Sequence, residues 1–256
     1  MARLILLRHG ETDWSRDSRW QGHSDVPLNA TGLAQAAALV APLAAQRPTH
    51  LASSDLSRAV ETLRPLAEHL GVRPVADPGL REIDVGSWSG LTHDEAAERD
   101  PEGVARHDAG GTGWSDGETY DDVAARGLDA LERITAPLDE RDLLVVVAHG
   151  GLIGAVVGRM LGLTADEQRR RLGRPSHGHA TYARRAVADD GPLWRILAYN
   201  APLLADAGPP VELTIHCGGC AGGGEGRGLF SSPSEANKPR PSPHRRTTQD
   251  NLARGV

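Results

Sequence analysis

Two short apolar runs in this chain end the same way, and that repetition limits its possible folds more than any other feature. Leu4-Ile5-Leu6-Leu7 runs into Arg8-His9-Gly10, and Leu143 through Ala148, read as LLVVVA, runs into His149-Gly150-Gly151. A continuous apolar run with a polar stop is the pattern of a strand buried on both faces of a parallel sheet. In open parallel sheets ligands sit outside the carboxyl ends of the strands, so two such endings can bring both histidines to one crevice.

Helical patterns alternate with these strands. Asn29 is positioned to cap a helix reaching about Gln46, with Leu33, Ala36, Ala37, Val40 and Leu43 on one face. A short strand is expected near Thr49 to Ala52. Ser53, Ser54 and Asp55 then offer capping side chains for a helix carrying Leu56, Ala59, Val60, Leu63, Leu66 and Leu70 on one side. Thr92 and Glu95 form a capping box for a third helix, Asp121 to Ile134 reads as a fourth, and Gly151 to Leu161 as a fifth. Thr181 to Val187 and Leu193 to Ala198 close the pattern as strands. The alternation predicts a three-layer α/β/α sandwich with a mostly parallel sheet over residues 1–202. Residues 203–256 are rich in proline and glycine and show no hydrophobic period, the composition of a low-complexity, disordered tail.

Composition excludes some partners. A net charge of -6 over 256 residues argues against a general binder of nucleic acid or of membrane surfaces. No apolar run approaches membrane length, and Leu4 to Leu7 is too short for a signal-peptide core, so a cytoplasmic protein is expected. The two cysteines, Cys217 and Cys220, both fall in the tail, and their CxxC has no second pair to complete a zinc site. His23, His50, His69, His93 and His107 lack mutual metal-ligand spacing and read as loop or surface residues. Trp20, Trp88 and Trp114 fall in loops, as walls of a substrate lid or as hydrophobic plugs.

The residues at the strand ends suit phosphoryl transfer. That chemistry needs a nucleophile, charge neutralisation on the phosphoryl oxygens and a proton for the leaving alkoxide. His9 can attack phosphorus through one ring nitrogen if a neighbouring carbonyl holds the other as a donor. Arg8 and Arg58 present planar forks that match phosphoryl oxygens, and His149 can donate to the transferring group where the Gly150 backbone approaches closely. Glu82, within Leu80-Arg81-Glu82-Ile83-Asp84, suits the acid: burial beside a phosphate favours the protonated form of a carboxyl group. Asp84 competes for that role, and a salt bridge to a nearby arginine is the bland alternative for Glu82.

Taken together, Arg8-His9-Gly10-Glu11-Thr12, Ser53-Ser54-Asp55-Leu56-Ser57-Arg58-Ala59, Leu80-Arg81-Glu82 and Ala148-His149-Gly150-Gly151 resemble the histidine phosphatase superfamily, also called phosphoglycerate mutase-like. The resemblance spans roughly residues 3 to 200. It implies a phosphate pocket of Arg8, His9, Arg58 and His149, phosphorylation of His9, Glu82 as acid and base, and neither metal nor organic cofactor. Ser18 to Gly22, Gly90 to His93, Asp116 to Thr119 and Val123 to Arg126 resemble the glucosyl-3-phosphoglycerate phosphatase branch. Gln21, Ser15 and Gly150 then become substrate or phosphate contacts. Ser15 stands where relatives commonly carry an asparagine that touches phosphate, and His179 where they often carry another. The implied activity is hydrolysis of a small phosphorylated metabolite, with neither nucleic acid nor membrane as partner and a homodimer as one option. A cofactor-dependent phosphoglycerate mutase and a non-catalytic phospholigand-binding module are the rival readings. Mutases usually follow the glutamate with an Arg-His-Tyr-Gly type stretch, and here Ile83-Asp84-Val85-Gly86 follows it.

Overall fold

The computed structural model describes residues 2–188 and 191–203. The sheet is built from β1 (Arg3–Arg8), β2 (His50–Ser53), β3 (Val75–Ala76), β4 (Leu143–Ala148), β5 (His179–Ala188) and β6 (Gly191–Pro202). The helices are α1 (Asp13–Arg16), α2 (Ala30–Ala38), α3 (Val40–Ala44), α4 (Ser57–Leu70), α5 (His93–Arg99), α6 (Pro101–Asp108), α7 (Tyr120–Thr135), α8 (Gly150–Met160) and α9 (Ala165–Arg171). The expected tail, with Cys217 and Cys220, lies outside the described residues apart from Leu203.

Strand order is β3-β2-β4-β1-β5-β6. β1 to β4 pair in parallel, and β5 and β6 run antiparallel at one edge. Two consequences place the functional residues. Arg8 lies opposite Ala148 in the β1–β4 register, so His9 and His149 leave the sheet at the same level. Because β5 runs against β1, the segment entering β5 returns to the same end of the sheet, where Gly178 N–H reaches the Arg8 carbonyl at 3.3 Å.

Successive residues of a buried strand face opposite sides, and the cores divide accordingly. Leu4, Leu6, Leu144, Val146 and Ala148 pack with Val123 and Leu131 of α7 and with Leu152 and Val156 of α8. Ile5, Leu7, Val145 and Val147 pack with Leu43 of α3 and with Ala59, Leu63 and Leu66 of α4. This is the three-layer arrangement.

Some local expectations fail for identifiable reasons. The helix expected from Asn29 to Gln46 is two helices, since Pro42 has no N–H to continue the ladder back to Ala38. Within α2 the buried face carries Gly32 and Ala36, which leaves Leu33 exposed, and at and beyond the break Leu39 and Pro42 are buried. The start of α4 receives no side-chain cap from Ser53, Ser54 or Asp55. Asp25, distant in sequence, accepts from Ser57 N–H at 2.8 Å, while Asp55 is drawn away by Arg81 at 2.5 Å. Val60, expected on the inner side, is exposed. The Thr92–Glu95 capping box forms with both of its hydrogen bonds, and α7 and α8 fall within a residue of their expected bounds.

The loop after β1 is fixed by glycine contact. A Cβ on Gly10 would lie 2.7 Å from the Gly32 carbonyl oxygen, and one on Gly32 would overlap the backbone of Glu11. Backbone against backbone leaves nothing that can swing aside. Gly32→Ala should therefore lower the free energy of unfolding by about 1–3 kcal/mol in urea titrations.

Candidate active site

His9 and His149 meet beyond the ends of β1 and β4, their ring centroids 5.1 Å apart. His9 Nδ1 lies 2.6 Å from its neighbour's carbonyl, that of Gly10, which makes Nδ1 the protonated donor and leaves Nε2 with its lone pair. Gly10 is held in turn, its N–H donating to Thr62 Oγ1 at 2.9 Å, and that hydroxyl donates to the Arg58 carbonyl at 2.6 Å. Burial, then the charges of Arg58 and Arg8, hold the His9 ring well below the usual histidine range, so it is neutral at pH 7.

Arg58 projects from the first turn of α4 and is fully buried. Its Nη1 and Nη2 donate to the carbonyls of Ser24 and Gly22 at 2.7 and 2.9 Å, and its Nε donates to His149 Nδ1 at 3.3 Å. A guanidinium only donates, so Nδ1 of His149 carries the lone pair and Nε2 carries the hydrogen. That Nε2, together with Arg8 Nε, is buried without a hydrogen-bond partner among the described residues. Buried donors are rarely left unpaired, and these belong to two of the groups expected around an oxyanion. Arg8 donates through Nη1 to the Pro175 carbonyl at 2.9 Å. Its pKa is lowered to about 9, first by burial and then by Arg174, so the charge persists at neutral pH.

Glu82 presents its carboxyl group to the start of α8. Oε1 accepts from the N–H groups of Ile83 and Leu152 at 3.0 Å each, and Oε2 accepts from Gly151 N–H at 3.1 Å. Its carboxylate forms no ion pair among the described residues, which disposes of the salt-bridge alternative. Asp84 turns away, capping its own turn through Gly86 N–H at 3.0 Å. The close fit at α8 requires Gly151, whose Cβ would come 2.5 Å from Glu82 Oε1.

The backbone around Glu82 is clamped. Arg126 of α7 donates to the carbonyls of Gly79, Arg81 and Glu82 at 2.7 to 3.0 Å and pairs with Glu118 at 2.6 and 2.7 Å. His23 supports the same carbonyl of Glu82 through Nε2 at 2.9 Å, so it is no bystander in a loop.

Two recesses open beside these groups. One, of about 230 Å³, is walled by Glu82, Gly151, Trp20, His107, Tyr120 and Tyr199. The other, of about 220 Å³, is walled by Arg8, Ser15, Arg19, Gln21, His93 and Arg174. Gln21, Trp20 and Arg174 line both. Gln21 Oε1 accepts from Thr12 Oγ1 at 3.0 Å, which turns its amide into a fixed wall. Ser15 reaches the second recess, but its hydroxyl donates to the Thr12 carbonyl at 2.9 Å and completes a capping box with Thr12. As a phosphate contact it would have to give up that bond.

The tryptophans divide. Trp88 and Trp114 are buried plugs, and Trp20, 5.7 and 5.6 Å respectively from their rings, is the one that reaches the recess. His107 is half-buried on α6, accepting from Arg169 at 2.9 Å, while His50, His69 and His93 are exposed on β2, α4 and α5, as expected of surface residues. Among the described residues no group of three or more histidine, cysteine, aspartate or glutamate side chains could hold a metal ion.

No sequence motif marks His177. Its ring stands 5.4 Å from that of His9, and its Nδ1 donates to the His9 carbonyl at 2.7 Å. Burial, then Arg8, lowers its pKa to about 4. Neither His177 nor Arg174 falls in a strand-end motif, so only the antiparallel return into β5 shows where they go. His179 sits behind them, with Nδ1 3.3 Å from the His177 carbonyl.

Residues 4–199 match the model of the histidine phosphatase superfamily, branch 1, and the chain belongs to that family. It is 35% identical over 213 residues to glucosyl-3-phosphoglycerate phosphatase of Mycolicibacterium vanbaalenii, covering 78% of this chain and 94% of that protein. It is 36% identical over 174 residues to a protein of Enterobacter sp. named as probable phosphoglycerate mutase, covering 66% of this chain and 80% of the relative. A solved mycobacterial glucosyl-3-phosphoglycerate phosphatase in complex with VO3 is similar at a TM-score of 0.68 and 35% identity, over 78% of this chain and 98% of the other.

Gly151→Ala should push the Glu82 carboxylate off the α8 amides and cut phosphate release from an aryl phosphate by about 10²-fold, with the circular dichroism spectrum unchanged. The buried imidazoles give a stability profile with a definite sign. A folded-state pKa of about 4 for His177, against 6.5 as the ordinary value, means the unfolded chain binds more protons between those limits. Unfolding free energy should therefore fall as pH drops through that window. His177→Gln should make the slope shallower in urea titrations, with His9, His149 and His107 among the groups that supply what remains.

Proposed function

We propose that this chain is a phosphomonoesterase that hydrolyses small phosphorylated metabolites through a phosphohistidine on His9. The observation that carries the reading is the bond from His9 Nδ1 to Gly10, which leaves a neutral ring with Nε2 as the attacking atom. Attack of Nε2 on phosphorus forms the N–P bond while the P–O bond to the leaving alcohol breaks. Glu82 in its acid form gives its proton to that oxygen, and the carboxylate left behind is held by the amides of Ile83, Gly151 and Leu152. Water then displaces the phosphoryl group from Nε2 while Glu82 takes back a proton, releasing phosphate and restoring both groups.

The charge on the phosphoryl oxygens is met by donors already in position. Arg8 Nε and the Nε2–H of His149 are unpaired buried donors, and each terminal nitrogen of Arg58 keeps a hydrogen beyond its carbonyl bond. Donors fixed before the reaction cost no reorganisation as charge develops. Gln21 and Gly150 belong to the same wall, and we assign them to substrate contact. Every group named comes from a single copy, so a homodimer would add to the site without completing it. A cytoplasmic setting is our reading from residues 1–216, which contain no cysteine.

Hydrolase and mutase share the first half-reaction and differ in the acceptor. Turnover of an aryl phosphate with release of inorganic phosphate and no requirement for 2,3-bisphosphoglycerate is the expected result. Absolute dependence on that primer would establish the mutase instead. Acid-labile, base-stable labelling of the protein should appear on rapid quenching with labelled substrate and vanish in His9→Ala. Equal phosphate release by His9→Ala and wild type would show the site to be a binding module. Glu82→Gln should lower turnover by about 10²–10⁴-fold.

A further inference from the structure

The guanidinium of Arg126 is spent entirely on one short stretch of chain and on the residue that straps it. Nη1 donates to the carbonyls of Gly79 and Arg81, Nη2 to the Glu82 carbonyl and Glu118 Oε2, and Nε to Glu118 Oε1, all within 2.6 to 3.0 Å. A guanidinium carries five N–H groups, so these contacts leave none for a ligand. Glu118 binds the same stretch a second time: its Oε2 accepts from Asp84 N–H and its own N–H donates to the Asp84 carbonyl, both at 2.9 Å. Gly79 permits the close approach to α7, since a Cβ there would lie 2.8 Å from that of Ala130.

The stretch held in this way, residues 79–84, carries Glu82. Its carboxyl group spans to α8, accepting from Gly151 and Leu152 N–H at 3.1 and 3.0 Å. The phosphoryl-binding groups are anchored elsewhere: Arg8 and His9 on β1 and the loop it enters, Arg58 on α4, and His149 between β4 and α8. No hydrogen bond of the Arg126 or Glu118 side chain reaches those four residues. The site thus has two separately anchored halves, one facing phosphorus and one facing the oxygen that leaves.

We propose that Arg126, with Glu118 as its counter-ion, is a positioning residue that holds Glu82 at the leaving oxygen, an assignment that rests on the phosphatase reading of Glu82. A displaced acid costs most where the departing oxygen most needs a proton. p-Nitrophenolate departs readily as an anion, whereas phenolate is more basic and departs poorly without a proton. A general loosening of the fold would slow both esters alike.

The test measures kcat/KM for phenyl phosphate and p-nitrophenyl phosphate, because that ratio reports phosphoryl transfer to His9 with loss of the alcohol and not the later hydrolysis. Arg126→Lys keeps the positive charge that, after burial, Arg58 and His9, holds His149 neutral, but it lacks the fork. Its loss on phenyl phosphate should exceed its loss on p-nitrophenyl phosphate by about tenfold or more. Placed in Glu82→Gln, the same substitution should lower kcat/KM for phenyl phosphate by less than about twofold further, since the group it positions is already gone. Equal losses on the two esters, no loss on either, or full additivity with Glu82→Gln overturns the proposal. Should Arg126→Lys fail to give a native circular dichroism spectrum, Glu118→Gln, which keeps the fork and removes its counter-ion, must show the same selective loss. A leaving-group dependence in Glu82→Gln that neither variant shares removes only the role of Arg126. Equal losses on both esters in Glu82→Gln, or no turnover by wild type, would remove the underlying phosphatase reading of Glu82 as well.

Discussion

Burying two guanidinium groups with no carboxylate paired to either is a costly arrangement, because the charged form loses its hydration. Here the cost is offset by backbone carbonyls. Arg58 rests on Gly22 and Ser24, and Arg8 rests on Pro175. Each carbonyl supplies a fixed dipole but no formal negative charge, so the positive potential is stabilised without being cancelled. Burial of the His9 ring disfavours its protonation first, and Arg58 and Arg8 add to that effect. The orientation of His149 follows from the same arrangement, since it can accept from Arg58 only as the tautomer that carries its hydrogen on Nε2.

This dependence on carbonyls ties the chemistry to the loops. Gly22 and Ser24 belong to the segment between α1 and α2, and Pro175 to the segment entering β5, so the site is complete only when these two distant stretches are in register with β1. The Arg126–Glu118 pair does the same for the stretch carrying Glu82, gripping the carbonyls of Gly79, Arg81 and Glu82 from the flank of α7. These are long-range polar contacts, and a change in any of them reaches the reacting atoms through backbone and not through side-chain packing.

Much of this was legible from the residues. The apolar runs ending in His9 and His149 specify two central strands, and the β1–β4 register then places the histidines together. Capping boxes such as Thr92–Glu95 are local and readable. What was illegible depends on tertiary partners. Asp25 caps α4 from across the chain, where Ser53, Ser54 and Asp55 looked sufficient. Ser15 looks like a phosphate contact by position, yet its hydroxyl is engaged with Thr12. His177 and Arg174 carry no motif, and their proximity to Arg8 comes from the reversal of strand direction at β5. No periodicity in the segment itself reports that reversal.

The antiparallel edge has a further consequence. The His9 ring, the fork of Arg58 and the amides of α8 are set at strand ends and helix starts, where a shift would disturb the sheet. Much of the outer wall of the recesses comes from His93 of α5, His107 of α6 and the short stretch between α9 and β5, outside the strands. Divergence can therefore exchange one preferred alcohol for another by rewriting a few peripheral positions, while the machinery that breaks the phosphorus–oxygen bond is inherited unchanged.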